Sequence, residues 1–219
     1  MFNDIDTEIL DAITAPATES ELDDVRAVIE AGRTGGLDGF NSELGRRFPF
    51  MITSTGHNYM FDIYEGWLTA FSAPFLIHVR RALESDKSDN AEILDVKEKY
   101  GTLRIYWGYA HPYTELVTTM YELLSGYYCC HCGKYGAKLT QSGWILALCR
   151  SCWEPDRDGN YGTELPLEPL KITSYDEGKT TVSTFPSEPW VEQVEQMSKL
   201  SAELCKMFCW VNSSLLYTM

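Results

Sequence analysis

No stretch of this 219-residue chain approaches the ~18 consecutive apolar residues that a bilayer-spanning helix requires, and its opening residues lack the basic-then-apolar order of a secretory signal. A soluble, cytoplasmic protein is expected. Positive charge is scarce as well: 18 Lys and Arg against 32 Asp and Glu leave a net charge of -14. That balance repels phosphate backbones and disfavours direct nucleic-acid binding. Only four histidines are present; His57, His78 and His111 stand alone and read as structural. The glycine-rich run at 32–39 lacks the Gly-Lys-Ser/Thr ending and the strand-to-helix setting of a phosphate loop, so it reads as a flexible joint.

What the chain does have is an ample apolar share and many rings. Hydrophobic residues make up 44% and aromatics 13% of the sequence, which excludes disorder and points to rings available for partners. Seven cysteines would mean disulfides in a secreted chain, but four of them form two Cys-x-x-Cys pairs, Cys129/Cys132 and Cys149/Cys152, separated by sixteen residues. In a reducing compartment that spacing is a metal signature: each pair sets two thiolates on one side of a tight turn, and two turns close a tetrahedral shell around Zn2+. Gly133, directly after the first pair, permits the backbone angles that aim amides at sulfur. Cys130 and His131 are the local competitors, and a shell using either stays open at this point. A four-thiolate shell leaves no free position, so such a zinc is structural. Cys205 and Cys209 read as core residues.

Hydropathy periodicity outlines an α+β fold: helices around small antiparallel β-hairpins, with a four-cysteine zinc-ribbon or zinc-knuckle element. Helices are expected over 4–15, 20–31, 68–83 and from Pro112 onward, with Pro74 a kink and Arg80 and Arg81 suited to a helix carboxyl end. A polar turn is expected at 85–90. Residues 91–109 read as a hairpin turning at Tyr100-Gly101, with Ile93, Asp95 and Lys97 on one face and Leu94, Val96 and Glu98 on the other. Short strands are expected at 137–140 and 144–148, a linker or loop after Trp153, a hairpin over 171–185, and a terminal helix after Ser187 whose apolar face needs covering. Four segments follow: 1–43 acidic and helical, 44–153 a zinc-containing core, 154–186 a loop with a hairpin, and 187–219 an amphipathic helix.

Several short elements resemble a family of proteins encoded by bacteriophages and prophages. They are L-G-R-R-F-P at 44–49, Y-E-G-W at 64–67, V-K-E-K-Y-G-T-L-R-I-Y at 96–106, and the C-x-x-C-G, G-W and L-C-x-x-C signatures within 129–152. In that family the hairpin reads V-K-E-K-F-G-x-L-R-F-Y. The resemblance covers about half the chain, from residue 44 to 153, and implies no particular reaction; it does imply a bacterial host cytoplasm.

The leading functional expectation is a zinc-stabilised phage-type protein that binds a host or phage protein, blocking a host defence or redirecting a host machine. Its acidic amino-terminal region holds eleven Asp or Glu within residues 1–44 against Arg26 and Arg33. With Asp23, Asp24 and Glu30 as candidates, that face would imitate nucleic acid in a partner's basic groove, although a solvated helix face is the simpler account. A second candidate surface is the hairpin, through Lys97, Glu98, Lys99, Arg104 and Tyr106. The rival reading is a nuclease or nucleotide hydrolase, which requires Lys97, Glu98, Lys99 and Arg104 to converge in a cleft beside His57 or Asp62; no catalytic residue is nominated. A zinc-ribbon nucleic-acid binder is the third reading, and the net charge opposes it.

Overall fold

The structure, a computed structural model, describes residues 5–87, 90–153, 162–176 and 178–216. Expectations that fall on Asp4, on residues 88–89 of the polar turn, on 154–161 of the linker and on Glu177 lie outside these residues. The architecture is α+β, with five helices and small antiparallel sheets among the described residues.

Helix α1 (Thr7–Thr14) begins at Asp6, whose carboxylate accepts from the amides of Glu8 and Ile9. Helix α2 (Glu19–Arg47) opens with a reciprocal capping box between Thr18 and Glu21. The glycine run does not end this helix. Its path continues to Arg47 with one break at Gly36, where φ is 61° and ψ -147°, a conformation that glycine alone adopts without strain. Close packing accounts for two of the other glycines: a Cβ on Gly32 would lie 2.7 Å from Met207 Cγ, and one on Gly39 would lie 2.4 Å from the Ala31 carbonyl oxygen. The expected joint is a packed bend.

Helices α3 (Glu65–Asp86) and α5 (Glu188–Leu216) form the central pair, with α2 against α5. Pro74 lies inside α3, and the neighbouring Ala73 amide donates to Ser201 Oγ of α5 at 2.9 Å, a bond buried between the two helices. Val191, Val194, Leu204, Phe208 and Val211 are all buried, so the terminal helix covers its apolar face on its own chain. Helix α4 (Pro112–Ser125) packs on α3 and is capped in trans. Asp86, at the end of α3, accepts from the amides of Tyr113 and Thr114 at 3.2 and 2.7 Å, a carboxylate at the positive pole of a helix. One apolar cluster runs from Ile5 to Val211.

Strands β1 (Glu92–Lys99) and β2 (Thr102–Gly108) form the expected hairpin. Tyr100 and Gly101 both take positive φ, 54° and 79°, as a two-residue type I′ turn demands. The simple alternation fails at Leu94: the register slips between Ile93 and Asp95, so Ile93 and Val96 both turn inward while Leu94 is 59% exposed. A bulge of this kind is invisible to period-2 reading because one inserted residue reverses every later side chain. The outer edge of β2 is closed by α4, whose Ser125 Oγ and Glu122 carboxylate accept from the amides of Leu103 and Ile105 at 2.8 and 2.7 Å.

Strands β3 (Lys138–Ser142) and β4 (Trp144–Leu148) turn at Gly143, and β5 (Thr163–Leu165) pairs with the other edge of β3. The stretch expected to be linker therefore supplies a strand. Strands β6 (Leu170–Asp176) and β7 (Lys179–Phe185) make the last hairpin.

Arg80 and Arg81 do more than suit a helix end. Arg81 donates to both carboxylate oxygens of Glu21 at 2.7 and 2.5 Å and to the carbonyls of Ile13 and Ala15, tying α1 and α2 onto α3. Burial works against the Glu21 carboxylate, but Arg81 and the Thr18 amide and hydroxyl outweigh it and lower its pKa from 4.5 to about 2. A carboxylate depressed in this way stabilises the fold fully above pH 4.5 and loses that contribution as pH falls toward 2. Glu21→Gln should therefore cost about 1–2 kcal/mol near neutral pH, allowing for solvent screening. The stability gap from wild type should close in acid, as measured by urea unfolding at a series of pH values. A gap that stayed constant down to pH ~2.5 would mean that the charge contributes nothing.

Candidate metal centre and hairpin face

Helix α4 delivers the chain into the first cysteine turn. Gly133 N donates to the Cys129 carbonyl at 2.9 Å, and Gly133 takes φ 72°, which closes the turn around Cys129 and Cys132. The second pair repeats the device: the amides of Cys152 and Trp153 both donate to the Cys149 carbonyl, at 3.0 and 2.9 Å. Cys130 N reaches the Ala147 carbonyl of β4 at 2.9 Å and fastens the two turns together. As a result the Sγ atoms of Cys129, Cys132, Cys149 and Cys152 all lie within 4.8 Å of one another, with Cys132 and Cys149 at 3.5 Å. A tetrahedral shell with metal–sulfur bonds of about 2.3 Å has edges of roughly 3.8 Å, so the four thiols are a candidate metal site. Cys130 is buried outside this group, and burial followed by the neighbouring Cys129 pushes its thiol up to about 12; His131 is exposed. Burial also opposes ionisation of Cys149, yet the Ser151 hydroxyl at 3.1 Å and the thiol of Cys132 outweigh it and bring its pKa down to about 6.

The centre is seated on α3 by an approach that only glycine allows. Gly66 N donates to the Cys130 carbonyl at 2.9 Å, and a Cβ on Gly66 would lie 2.2 Å from the Cys129 carbonyl oxygen. From the other side, a Cβ on Gly133 would lie 2.7 Å from the Gly66 carbonyl oxygen. Trp67, buried, donates its indole N–H to the Tyr128 carbonyl at 3.1 Å. Sequence reasoning missed this role of Gly66, although Y-E-G-W carried a signal: a glycine in the first turn of an apolar helix needs a reason to be there.

Lys97 and Arg104 stand opposite each other in the ladder, on one face of the hairpin. Lys97 pairs with Asp95 and lies 4.8 Å from the Tyr106 ring centroid. Lys99 lies over Tyr100, and Arg104 reaches Glu122 at 3.7 Å. Glu98 turns the other way: its carboxylate accepts from Gly101 N at 2.6 Å and from Trp144 Nε1 at 3.0 Å, locking the hairpin turn to the β3–β4 ribbon. Gly101 completes that contact, since a Cβ there would lie 2.8 Å from Leu139 Cδ2. His57 and Asp62 bond to each other at 2.6 Å. Of the four residues that the enzyme reading gathers, Glu98 is thus turned away from Lys97 and Arg104 toward the ribbon.

The nominated acids are also engaged. Asp24 is bound by both Arg47 and Arg80 and is largely enclosed, Asp23 pairs with Arg26 at 2.6 Å, and Glu30 lies 3.8 Å from Arg33. Asp24 is thus an internal tether between α2 and α3, and the acidic face is partly neutralised by its own arginines.

Rings remain exposed near the ribbon and hairpin: Trp144 at 68% and Tyr100 at 66%, with Tyr106 and Tyr109 also open to solvent. No helix among the described residues is long and apolar enough to cross a membrane. No protein-family model, curated protein or solved structure matches the chain.

Proposed function

We propose that the four thiols hold one structural zinc ion and that the chain works by binding another protein through the hairpin turn, its outer face and the adjoining ribbon tip. The observation that carries this reading is the treatment of Trp144 and Tyr100. Each is a large ring left in water, yet each is held by a fixed partner, Trp144 by Glu98 and Tyr100 by a type I′ turn beside Lys99. Aromatic anchors that are already ordered lose little entropy on docking, which is how interface hot spots are built. A net charge of -14 favours a protein over a nucleic acid as the partner. The resemblance to phage proteins points to a host protein, of the defence or housekeeping machinery, and the engagement of Asp24 moves the weight from the acidic helix to the hairpin.

Photo-crosslinking residues in place of Tyr106 or Trp144 should capture one defined protein in bacterial cells, whereas the same residue at exposed Lys206 of α5 should not. A Tyr106→Ala/Trp144→Ala double variant should fail to compete, with affinity reduced on the order of 30-fold or more. Identical labelling at all three positions, or none, would overturn the proposal.

A further inference from the structure

A second group of ligand-type side chains converges away from the four-thiol centre. Cys205 and Cys209 lie one helical turn apart on α5, and Glu65, the first residue of α3, lies against them. Two Sγ atoms and a carboxylate oxygen all fall within 4.8 Å of one another, and the two sulfurs are 3.9 Å apart, close to the roughly 3.8 Å sulfur–sulfur edge of a tetrahedral thiolate site. Burial is graded across the group: Cys205 is buried, Cys209 half-buried and Glu65 exposed. A core role accounts for the two thiols, Cys205 within the apolar cluster and Cys209 packed against it, but it gives no reason for a carboxylate to share their surroundings.

We propose that Glu65, Cys205 and Cys209 form a second metal site that takes a zinc-class divalent cation on two sulfurs and one oxygen and leaves its fourth position to solvent. Residues four apart on a helix project to one side, the same arrangement by which paired helical ligands hold zinc elsewhere. Sulfur donors select zinc-class ions over magnesium and calcium. Three protein ligands with an open side differ in kind from a closed four-thiolate shell, so this site exchanges its ion and accepts an external ligand while the first does not. The frame is already in place: Cys205 Sγ lies 3.5 Å from the Glu65 carbonyl oxygen, so the start of α3 and this turn of α5 are docked before any ion arrives. The two centres also share a stretch of chain, because Gly66, next to Glu65, donates to Cys130 in the first cysteine turn.

The test is a cobalt(II) titration of the full chain purified with one zinc per molecule. A second equivalent should bind with the ultraviolet absorption of sulfur-to-cobalt charge transfer and without release of the first zinc. Cys209→Ser should abolish that absorption, and Glu65→Gln should weaken cobalt binding by at least about tenfold, both with the first zinc retained. Glu65 is exposed, so its substitution keeps the question answerable if Cys209→Ser disturbs folding. No charge-transfer band at about tenfold excess cobalt, or a band unchanged by both substitutions, would overturn the proposal. Absence of the first zinc before titration would speak instead against the four-thiolate centre.

Discussion

On the proposed zinc assignment, Cys132→Ser should lose the ion and lower the melting temperature by at least about 10 °C. Structural zinc binding by four thiolates contributes on the order of 10–16 kcal/mol in small domains, as much as the entire stability of a typical fold. Cys132 is the most exposed of the four thiols, so its replacement removes little packing, and a large loss would report a bound metal. The damage should be regional. The ribbon β3–β5 and the hairpin turn seated on it should lose hydrogen-exchange protection first, because Glu98 and Gly101 are fixed by Trp144 and Leu139 of that ribbon. The α3–α5 pair has its own apolar contacts and should exchange later. Two controls separate the four-thiolate shell from its competitors. Cys130→Ser, outside the ligand group, should keep one zinc and cost only about 1–2 kcal/mol for placing a hydroxyl in an apolar site. His131→Ala, on the surface, should keep both metal and stability. Metal content by atomic emission and a thermal melt decide the matter: a Cys132→Ser protein that still carries one zinc, or a His131→Ala protein that carries none, would refute the assignment of ligands.

The cysteine centre was legible because ligand chemistry acts at short range in sequence. Two residues between thiols and a glycine after the pair are local demands, and the chain cannot meet them without displaying them. The hairpin turn was legible for the same reason, since Tyr100-Gly101 has to supply two positive φ angles within two residues. What escaped was decided across the fold. The bulge at Leu94 leaves no residue-type mark, and without it the facing of Ile93 and Val96 cannot be read. Gly32 looked like part of a hinge because the side chain that crowds it most, Met207, comes from the far end of the chain. Acids in a first helical turn read as solvated, yet Glu21 and Asp24 are held by Arg81 and Arg80, about 60 residues away. In the K-E-K-Y-G motif Glu98, which read as part of a surface, fastens the hairpin turn to the ribbon together with Gly101, a contact made across the fold that the sequence does not display.

Gly66→Ala is expected to be among the most damaging single-methyl additions in the molecule. The added carbon would lie 2.2 Å from the Cys129 carbonyl oxygen and 2.6 Å from both carbonyl atoms of Cys130. Those are backbone atoms of a turn pinned by its neighbours: Cys129 N is bonded to the Lys134 carbonyl, Cys130 N to Ala147 and Gly133 N to Cys129. A flexible side chain could swing away, but this turn can retreat only by breaking the Gly66–Cys130 bond and shifting two of the four thiols. The cost should be at least about 3 kcal/mol, a fall in melting temperature of roughly 6–12 °C for a chain of this size, together with weaker zinc retention against a chelator. Helix propensity alone argues the other way, since alanine outranks glycine within a helix by about 1 kcal/mol. Gly35 supplies the comparison: it too is helical, nothing lies within 4 Å of its would-be Cβ, and Gly35→Ala should be neutral or stabilising by up to about 1 kcal/mol. If the two variants melted together and held zinc equally well, the close approach of α3 to the cysteine turn would not exist in solution, and the four-cysteine group would lose its anchor on the helical core.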